Sequence, residues 1–153
     1  MKKISIIAVF VLAVMGLSSC RSNKHIPEPH KTAEEVCAML GFLYGTNVTA
    51  EEAKDITDAF RVNFHSSKYK VTESDRGNKK MTKQQMCEVG RSLGAKYVVV
   101  GTISKLMDEF SVDVQVIDVL RETTVAFEGN AFQKADYSKE MEIIAKKLAS
   151  KIE

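Results

Sequence analysis

The residue types that most often carry out catalysis are few and scattered in this sequence. His25 and His30 lie in a polar stretch near the start of the chain, and the pattern around His65 predicts that it lies at the end of a helix. None of the three therefore has a predicted partner for base catalysis. The segment Gly41–Gly45 has neither the glycine spacing nor the lysine of a phosphate-binding loop.

Two pairs of acidic residues are candidates for general acid–base catalysis. Asp113 and Asp118 are five positions apart on one predicted strand, so their side chains point to opposite faces and cannot act as a close pair. Asp108 and Glu109 lie in a predicted turn, where neighbouring carboxylates are typical of a solvated loop. The sequence thus predicts a protein that is not an enzyme, and it indicates no metal site, cofactor or small-molecule substrate.

Cys20 is the residue whose surroundings do predict chemistry, in the form of a covalent modification. Lys2 and Lys3 precede an apolar run from Ile4 to Leu17, and two serines then lead into the cysteine. A positive start, a short apolar core and small residues before a processing site are typical of a secretory signal peptide. The run is shorter than the about 20 apolar residues that a membrane-spanning helix needs.

The segment Leu17-Ser-Ser-Cys20 also resembles the bacterial lipobox. The resemblance implies cleavage before Cys20, a diacylglyceryl thioether on its sulfur and an acylated amino terminus. The alternative is an ordinary secreted protein with a chance cysteine at this position. Two or three acyl chains on one residue are enough for stable membrane anchoring, whereas a single chain is not. We therefore expect a signal peptide at residues 1–19 and a lipid anchor on Cys20.

The mature chain would be electrically balanced. Removal of 19 of the 153 residues leaves 134, which is enough for a single domain with one core. The leader carries two of the 22 basic residues and none of the 20 acidic ones, so 20 of each remain. A balanced chain offers no electrostatic reason to expect nucleic acid as a partner.

Residues 20–34 comprise the lipidated cysteine and a predicted flexible tether, which is polar, aperiodic and holds both prolines of the chain. In proteobacterial lipoproteins an aspartate directly after the cysteine resembles an inner-membrane retention signal, and here Arg21 occupies that position. The acidic run that resembles a surface-export signal is also missing. These features favour the outer membrane, with the domain facing the periplasm.

Residues 35–153 have the periodicities of a single α/β domain. Five predicted strands are rich in apolar and β-branched residues: Val36–Tyr44, Tyr69–Glu73, Tyr97–Ser104, Phe110–Val116 and Thr123–Gly129. Two helices are predicted to begin at capping boxes, Thr49–Glu52 and Thr82–Gln85, and a third begins near Tyr137. The order β-α-β-α-β-β-β-α predicts one mixed sheet of about five strands with helices packed on its faces.

Cys37 and Cys87 are the two cysteines that remain if Cys20 is lipidated. In an oxidising envelope compartment they could form a disulfide, but spacing alone does not place their Cα atoms within bridging range. Both also lie among apolar residues, which is typical of buried free thiols. Both alternatives stay open at the level of sequence.

Two segments of the predicted meander resemble an envelope superfamily. They are Leu93-Gly-Ala-Lys-Tyr-Val-Val-Val-Gly-Thr-Ile-Ser104 and Val112-Asp-Val-Gln-Val-Ile-Asp-Val119, preceded by Met86-Cys-Glu-Val-Gly90. The superfamily includes the CsgG-like curli-secretion lipoproteins, the LpoB-like activators of penicillin-binding proteins, and the N-terminal domain of TolB. The resemblance covers roughly Val36 to Phe132, mostly at core positions and turns.

The chain departs from the superfamily pattern at three points. Leu120–Thr123 stands where members usually have a Thr-Gly turn, and the loop from Ser74 to Met81 is shorter than the common insertion. No segment could build a membrane-spanning barrel, which argues against a curli-type pore.

The resemblance implies a binding module rather than an enzyme. We expect a membrane-anchored envelope lipoprotein whose α/β domain binds a protein partner, as an accessory to cell-wall synthesis or to an envelope complex. The alternative is a self-associating component of a secretion or surface-fibre assembly. The loops Gly45–Val48 and Ser74–Lys80 are the candidate binding segments, because binding residues favour loops on rigid scaffolds.

Overall fold

The computed structural model describes residues 35–66 and 68–153. The predicted signal peptide, the lipidation of Cys20, the tether, and His25 and His30 all lie outside the described residues.

The described chain is an α/β domain, as the sequence predicts. Its strands are β1 Glu35–Leu40, β2 Leu43–Tyr44, β3 Tyr69–Ser74, β4 Ala95–Leu106, β5 Glu109–Asp118 and β6 Thr123–Gln133. Its helices are α1 Ala50–Asn63, α2 Lys83–Ser92 and α3 Tyr137–Ile152, and a short 3₁₀ turn, Lys134–Asp136, precedes α3.

All six strands belong to one mixed sheet in the order β3-β1-β4-β5-β6, with the short β2 paired to β4. β1 pairs in parallel with both β3 and β4, and β2 also pairs in parallel with β4. β4, β5 and β6 form an antiparallel meander. This is the mixed sheet with two helical crossovers that the order of predicted elements implied.

The two predicted capping boxes are present and set where α1 and α2 begin. The Glu52 backbone N–H donates to Thr49 Oγ1 at 3.1 Å, and the Thr49 N–H donates to Glu52 Oε2 at 3.0 Å. Thr82 and Gln85 make the same reciprocal pair at 2.9 and 3.2 Å. Each box satisfies two backbone donors that would otherwise lack partners at the start of a helix.

The core is divided into two clusters by the sheet. The larger cluster joins one face of the sheet to α1 and α3, and includes the fully buried side chains of Phe60, Phe110 and Leu148. The smaller cluster lies on the other face beneath α2, which packs there against β4 and its neighbours. The alternation of buried and exposed residues along β5 follows from this arrangement, since one face of the meander meets α3.

Cys37 and Cys87 are both buried and both free. Cys37 belongs to the cluster on the α1 and α3 face, whereas Cys87 belongs to the cluster beneath α2. The sheet therefore lies between the two thiols, and the disulfide alternative is not realised. Burial raises the pKa of Cys37 to about 12 and also raises that of Cys87, so both thiols stay protonated near neutral pH.

The apolar run Val36–Tyr44 was predicted as one strand, and this is wrong at Gly41 and Phe42, where β1 has ended and β2 has not begun. Phe42 turns onto the larger core cluster and lies across Gly101 of β4. A Cβ atom on Gly101 would lie 2.6 to 2.7 Å from three atoms of the Phe42 ring. The pattern of apolar residues did not reveal the break, because Phe42 is apolar and is buried like Met39 and Leu40 of β1.

The last strand also differs from its prediction, since β6 continues past Gly129 to Gln133. Gly129 stays within the ladder opposite Asp113, where a Cβ atom would lie 2.3 Å from an Asp113 carboxylate oxygen. Here the glycine allows a close cross-strand approach rather than marking the end of the strand.

We expect Gly101→Ala to lower the free energy of unfolding of the full-length chain by about 1–3 kcal/mol, because the added methyl group overpacks against Phe42. Urea unfolding measures the change. Gly45→Ala is the matched control, since the nearest atom to its added Cβ would be the Ile103 carbonyl oxygen at 3.9 Å. Equal stability of the two variants would show that Phe42 moves aside without cost.

Candidate functional site

The two loops proposed as binding segments from the sequence lie at the carboxyl ends of the parallel strands of the sheet. Gly45–Val48 follows β2, and Ser74–Lys80 begins at the last residue of β3. α1 packs on one face of the sheet and α2 on the other, so the chain leaves these strands toward opposite faces. Ligands of open α/β sheets bind outside the carboxyl ends of strands at such a point. We call the two loops together the loop platform.

Asn78 joins the two halves of the loop platform. The Tyr44 backbone N–H donates to Asn78 Oδ1 at 2.9 Å, and Asn78 Nδ2 donates to the Tyr44 carbonyl oxygen at 3.0 Å. The side-chain amide thereby bonds the backbone of β2 as a neighbouring strand would. Within the first loop, the Val48 N–H donates to the Gly45 carbonyl oxygen at 3.1 Å, and Val48 is buried. The platform is therefore fixed to the sheet from both sides.

Arg76 holds the platform at the break between β1 and β2. Its Nε donates to the Gly41 carbonyl oxygen at 2.6 Å, and its Nη2 donates to the Gly101 carbonyl oxygen at 3.1 Å. The ladder between β1 and β4 ends at Met39 and Val99, so the guanidinium supplies donors where strand pairing is interrupted. Hydrogen bonds to a charged group contribute roughly 1.5–3 kcal/mol each.

The third nitrogen of the same guanidinium, Nη1, is buried and has no acceptor among residues 35–66 and 68–153. Burial lowers the pKa of Arg76, because a desolvated guanidinium loses part of its hydration. An arginine nevertheless stays charged at any physiological pH. Sequence reasoning missed the role of Arg76, since an arginine between Asp75 and Gly77 in a polar loop is typical of an exposed side chain.

On the α1 side, the platform borders a cleft of about 390 Å³ between α1 and the end of β3. Its charges are paired with one another. Arg61 bonds Asp58 at 2.9 Å and Glu73 at 2.7 Å, and Lys54 bonds the same Asp58 at 2.6 Å. The hydrogen bond with Glu73 raises the pKa of Arg61. Because each cation has a carboxylate partner, neither Arg61 nor Lys54 offers an unpaired positive charge to a ligand in this cleft.

On the α2 side, Arg76 borders two further clefts, of about 520 and 170 Å³. The smaller one is walled by apolar side chains, among them Met81, Met86 and Val100, and Lys80 stands at its rim. In the part of the chain that the structure describes, neither Arg76 nor Lys80 forms an ion pair. This cleft therefore differs from the one beside α1 in having cations without carboxylate partners.

Two of the acidic residues considered for catalysis have different surroundings: Asp118 bonds backbone groups of a turn, and Asp113 lies in the lining of the smaller α2-side cleft. Asp118 is buried, and its Oδ1 accepts from the N–H groups of Leu120 and Arg121 in the turn before β6. Asp113 is exposed on β5 and points to the opposite face, as predicted. Glu109 opens β5 directly after a tight turn.

One segment that sequence reasoning overlooked, Gly90–Gly94, has the Gly-x-Ser-x-Gly spacing of a nucleophile elbow. The structure places Ser92 at the end of α2 rather than on a turn from a strand into a helix. Its Oγ donates to the Val89 carbonyl oxygen at 2.7 Å, one turn back in the helix. The segment is thus the carboxyl end of a helix closed by Gly94, whose φ is +65°.

His65 follows the carboxyl end of α1, as predicted. Over the described ranges, no three His, Cys, Asp or Glu side chains are grouped so that they could hold a metal ion. The described helices include none long and apolar enough to cross a membrane.

No family model and no curated protein sequence matches this chain. Solved structures do. TolB from Acinetobacter baumannii superposes with a TM-score of 0.57 at 15% identity over 77% of this chain, which spans 28% of that TolB chain. PelC from Paraburkholderia phytofirmans, solved as a dodecamer, superposes with a TM-score of 0.50 at 16% identity. The match covers 77% of this chain and 86% of the PelC chain. The C-terminal domain of LpoB from Escherichia coli has a TM-score of 0.48 at 16% identity, and the match covers 64% of this chain and 82% of the LpoB chain.

At these identities the likeness to TolB and PelC shows a shared fold. The resemblance to the TolB domain that was noted in the sequence is thereby confirmed at the level of fold. The curli-secretion part of that resemblance stays a prediction.

We expect Asn78→Ala to loosen the loop platform, because the Tyr44 N–H loses its only side-chain acceptor in the described structure. Hydrogen exchange of the Tyr44 amide should speed up, and the free energy of unfolding should fall by about 1 kcal/mol. The Gly45 amide is the internal control, because it donates to the Ile103 carbonyl oxygen at 3.0 Å and does not depend on Asn78. Unchanged exchange at Tyr44 would mean that another group holds this backbone.

Proposed function

We propose that this chain is a non-enzymatic lipoprotein of the bacterial cell envelope, anchored through acyl chains on Cys20, whose α/β domain binds a protein partner. The partner belongs to cell-wall synthesis or to another envelope complex. The anchor rests on the order of positive start, apolar run, small residues and cysteine in the first 20 residues. Arg21 after the cysteine favours the outer membrane, with the domain facing the periplasm.

The observation that carries the proposal is the loop platform. Asn78 bonds one loop to the other and Arg76 bonds the second loop to the sheet, so these contacts restrict the loops before a partner binds. A preorganised surface loses little conformational entropy on binding. Beside the platform lies a cleft with apolar walls and with cations that have no carboxylate partner among the described residues, which are features of a surface that binds another molecule.

The fold supports the same reading at a coarser level. The domain shares its fold with TolB, and the sequence resembles an envelope superfamily of which the TolB domain is a member. Fold likeness alone is a weak argument for function, so the proposal depends on the platform and on the anchor.

A second candidate function is self-association in an assembly complex. The meander exposes several large apolar side chains, including Leu106 and Met107 at its hairpin and Phe127 on β6. The PelC structure with this fold is a dodecamer. Against simple pairing of edge strands, Lys151 Nζ donates to the Phe127 carbonyl oxygen at 3.2 Å, and the Ala131 N–H donates to Asn130 Oδ1 at 3.0 Å. These contacts occupy backbone groups of the β6 edge.

We expect Cys20→Ala to move the protein out of the membrane fraction, because the thioether that carries the diacylglyceryl group cannot form. The domain should stay folded, with an unchanged circular dichroism spectrum. Ser19→Ala is the matched control, since it keeps a small residue before the cysteine and should leave the protein on the membrane. If the Cys20→Ala chain stayed membrane-bound after a salt wash, the lipid anchor would be rejected.

We also expect a photo-crosslinking residue at Lys79, on the exposed loop platform, to capture one or a few envelope proteins in living cells. The same residue at Lys139, which is exposed at the start of α3, is the control and should capture fewer. Affinity purification and mass spectrometry identify the products. Recovery of the chain crosslinked only to itself, with a mass in solution that rises with concentration, would instead favour self-association.

A further inference from the structure

The unpaired nitrogen of Arg76 indicates what chemistry the α2-side cleft accepts. Two of the three guanidinium nitrogens donate to backbone carbonyls, of Gly41 and Gly101, and these neutral acceptors leave the positive charge without a counter-ion. Nη1 is buried and has no acceptor among the described residues. Buried cations are usually paired with an anion, because a desolvated charge is otherwise costly.

The acidic residues that line the two α2-side clefts do not serve as that anion. Asp75 Oδ1 accepts from the Gly77 N–H at 2.7 Å within its own loop. Glu88 contacts Gln84 on the surface of α2, and the Asp113 carboxylate lies over Gly129 of β6. None of the three is within 4 Å of the Arg76 guanidinium in an ion pair, in the portion of the chain described.

The smaller α2-side cleft has the size of a site for side chains. Its volume is about 170 Å³, below the roughly 300–1,000 Å³ of pockets that hold drug-sized molecules. Lys80 adds a second cation at the rim, and Met81, Met86 and Val100 supply apolar walls. Methionine side chains adapt to different apolar partners, because they are unbranched and flexible. A carboxylate next to an apolar residue matches these walls.

We propose that the cleft between Arg76 and Lys80 receives an aspartate or glutamate side chain from an acidic segment of a partner protein, with a neighbouring apolar residue packed on Met81 and Met86. This inference rests on the proposed function, since it names the chemistry of the partner. The carbonyls of Gly41 and Gly101 fix the guanidinium in advance, so no arginine rotamers need to be ordered on binding. Because Nη1 is buried, a carboxylate reaches it only when side chains lining the cleft move.

An acidic protein segment fits better than an anionic lipid surface. Membrane surfaces attract clusters of four or more basic residues, whereas Asp113 stands in the lining of this cleft and Glu88 in that of its neighbour. A recessed site with mixed charges around one arginine selects a single carboxylate, which a guanidinium fork binds with defined geometry.

The test uses the detergent-solubilised full-length chain and a fluorescent peptide of about eight alternating Glu and Leu residues. Its twin has Gln in place of every Glu. We expect the Glu peptide to bind at least tenfold more tightly than the twin, by fluorescence anisotropy at low salt. Arg76→Gln should weaken binding of the Glu peptide at least tenfold, and Lys80→Glu should weaken it at least threefold. Arg121→Gln is the matched control and should change nothing, because Arg121 is exposed on the turn before β6.

Because Arg76→Gln removes bonds to the sheet and can unfold the platform, the exposed Lys80→Glu variant decides the result if Arg76→Gln is unstable. Equal binding of the two peptides, or equal weakening by Lys80→Glu and Arg121→Gln, would overturn the inference. So would displacement of the peptide by soluble dihexanoyl phosphatidylglycerol at lower concentration than by the unlabelled Glu peptide, since that would indicate a lipid headgroup site.

Crosslinking at Lys79 separates this inference from the proposed function. If the Lys80→Glu chain still captures the same partner with the same yield, the acidic-segment inference fails while the binding function stands. If neither chain captures any partner beyond what Lys139 captures, the proposed function itself fails.

Discussion

The guanidinium of Arg76, bonded to the carbonyls of Gly41 and Gly101, is the contact on which the candidate site depends. It joins the loop after β3 to both the end of β1 and the centre of β4. Without it, the carbonyls of Gly41 and Gly101 would each lose a charged donor, whereas the Asn78 bonds to Tyr44 would remain. One charged side chain thus stabilises an irregularity of the sheet and has one buried donor, Nη1, without an acceptor among the described residues.

Charge pairing distinguishes the two sides of the loop platform. Beside α1, Arg61 and Lys54 share Asp58 and Glu73 in a closed network, which leaves those cations with little to offer a ligand. Beside α2, Arg76 and Lys80 have no such partners within the described residues. Exposed ion pairs contribute little to folding stability, so the main effect of the α1-side network is to neutralise the charges of Arg61 and Lys54. The unpaired side is where an outside carboxylate would gain most.

The packing explains why the platform can be rigid in a small domain. Helices cover the sheet on both faces. Phe42 fills the space above Gly101 at the break between β1 and β2, so the break packs against the core rather than facing solvent. Lys105 links β4 to α1 by donating a hydrogen bond to Glu52 Oε1 at 2.8 Å. This bond, together with the one from the Thr49 backbone, lowers the pKa of Glu52 to about 2. The loops are therefore mounted on elements that packing and capping have already fixed.

The sequence by itself determined the order of the three helices and the five longer strands, and both capping boxes, because these depend on contacts between near neighbours in the chain. It also supplied every argument for lipidation at Cys20. Only the tertiary structure decided that the first apolar run is two strands, that Cys37 and Cys87 lie on opposite faces, and that Arg76 is half-buried with its Nη1 enclosed. Each of these depends on partners 25 or more positions away or on the face of the sheet that a residue occupies, and residue type and spacing do not encode either.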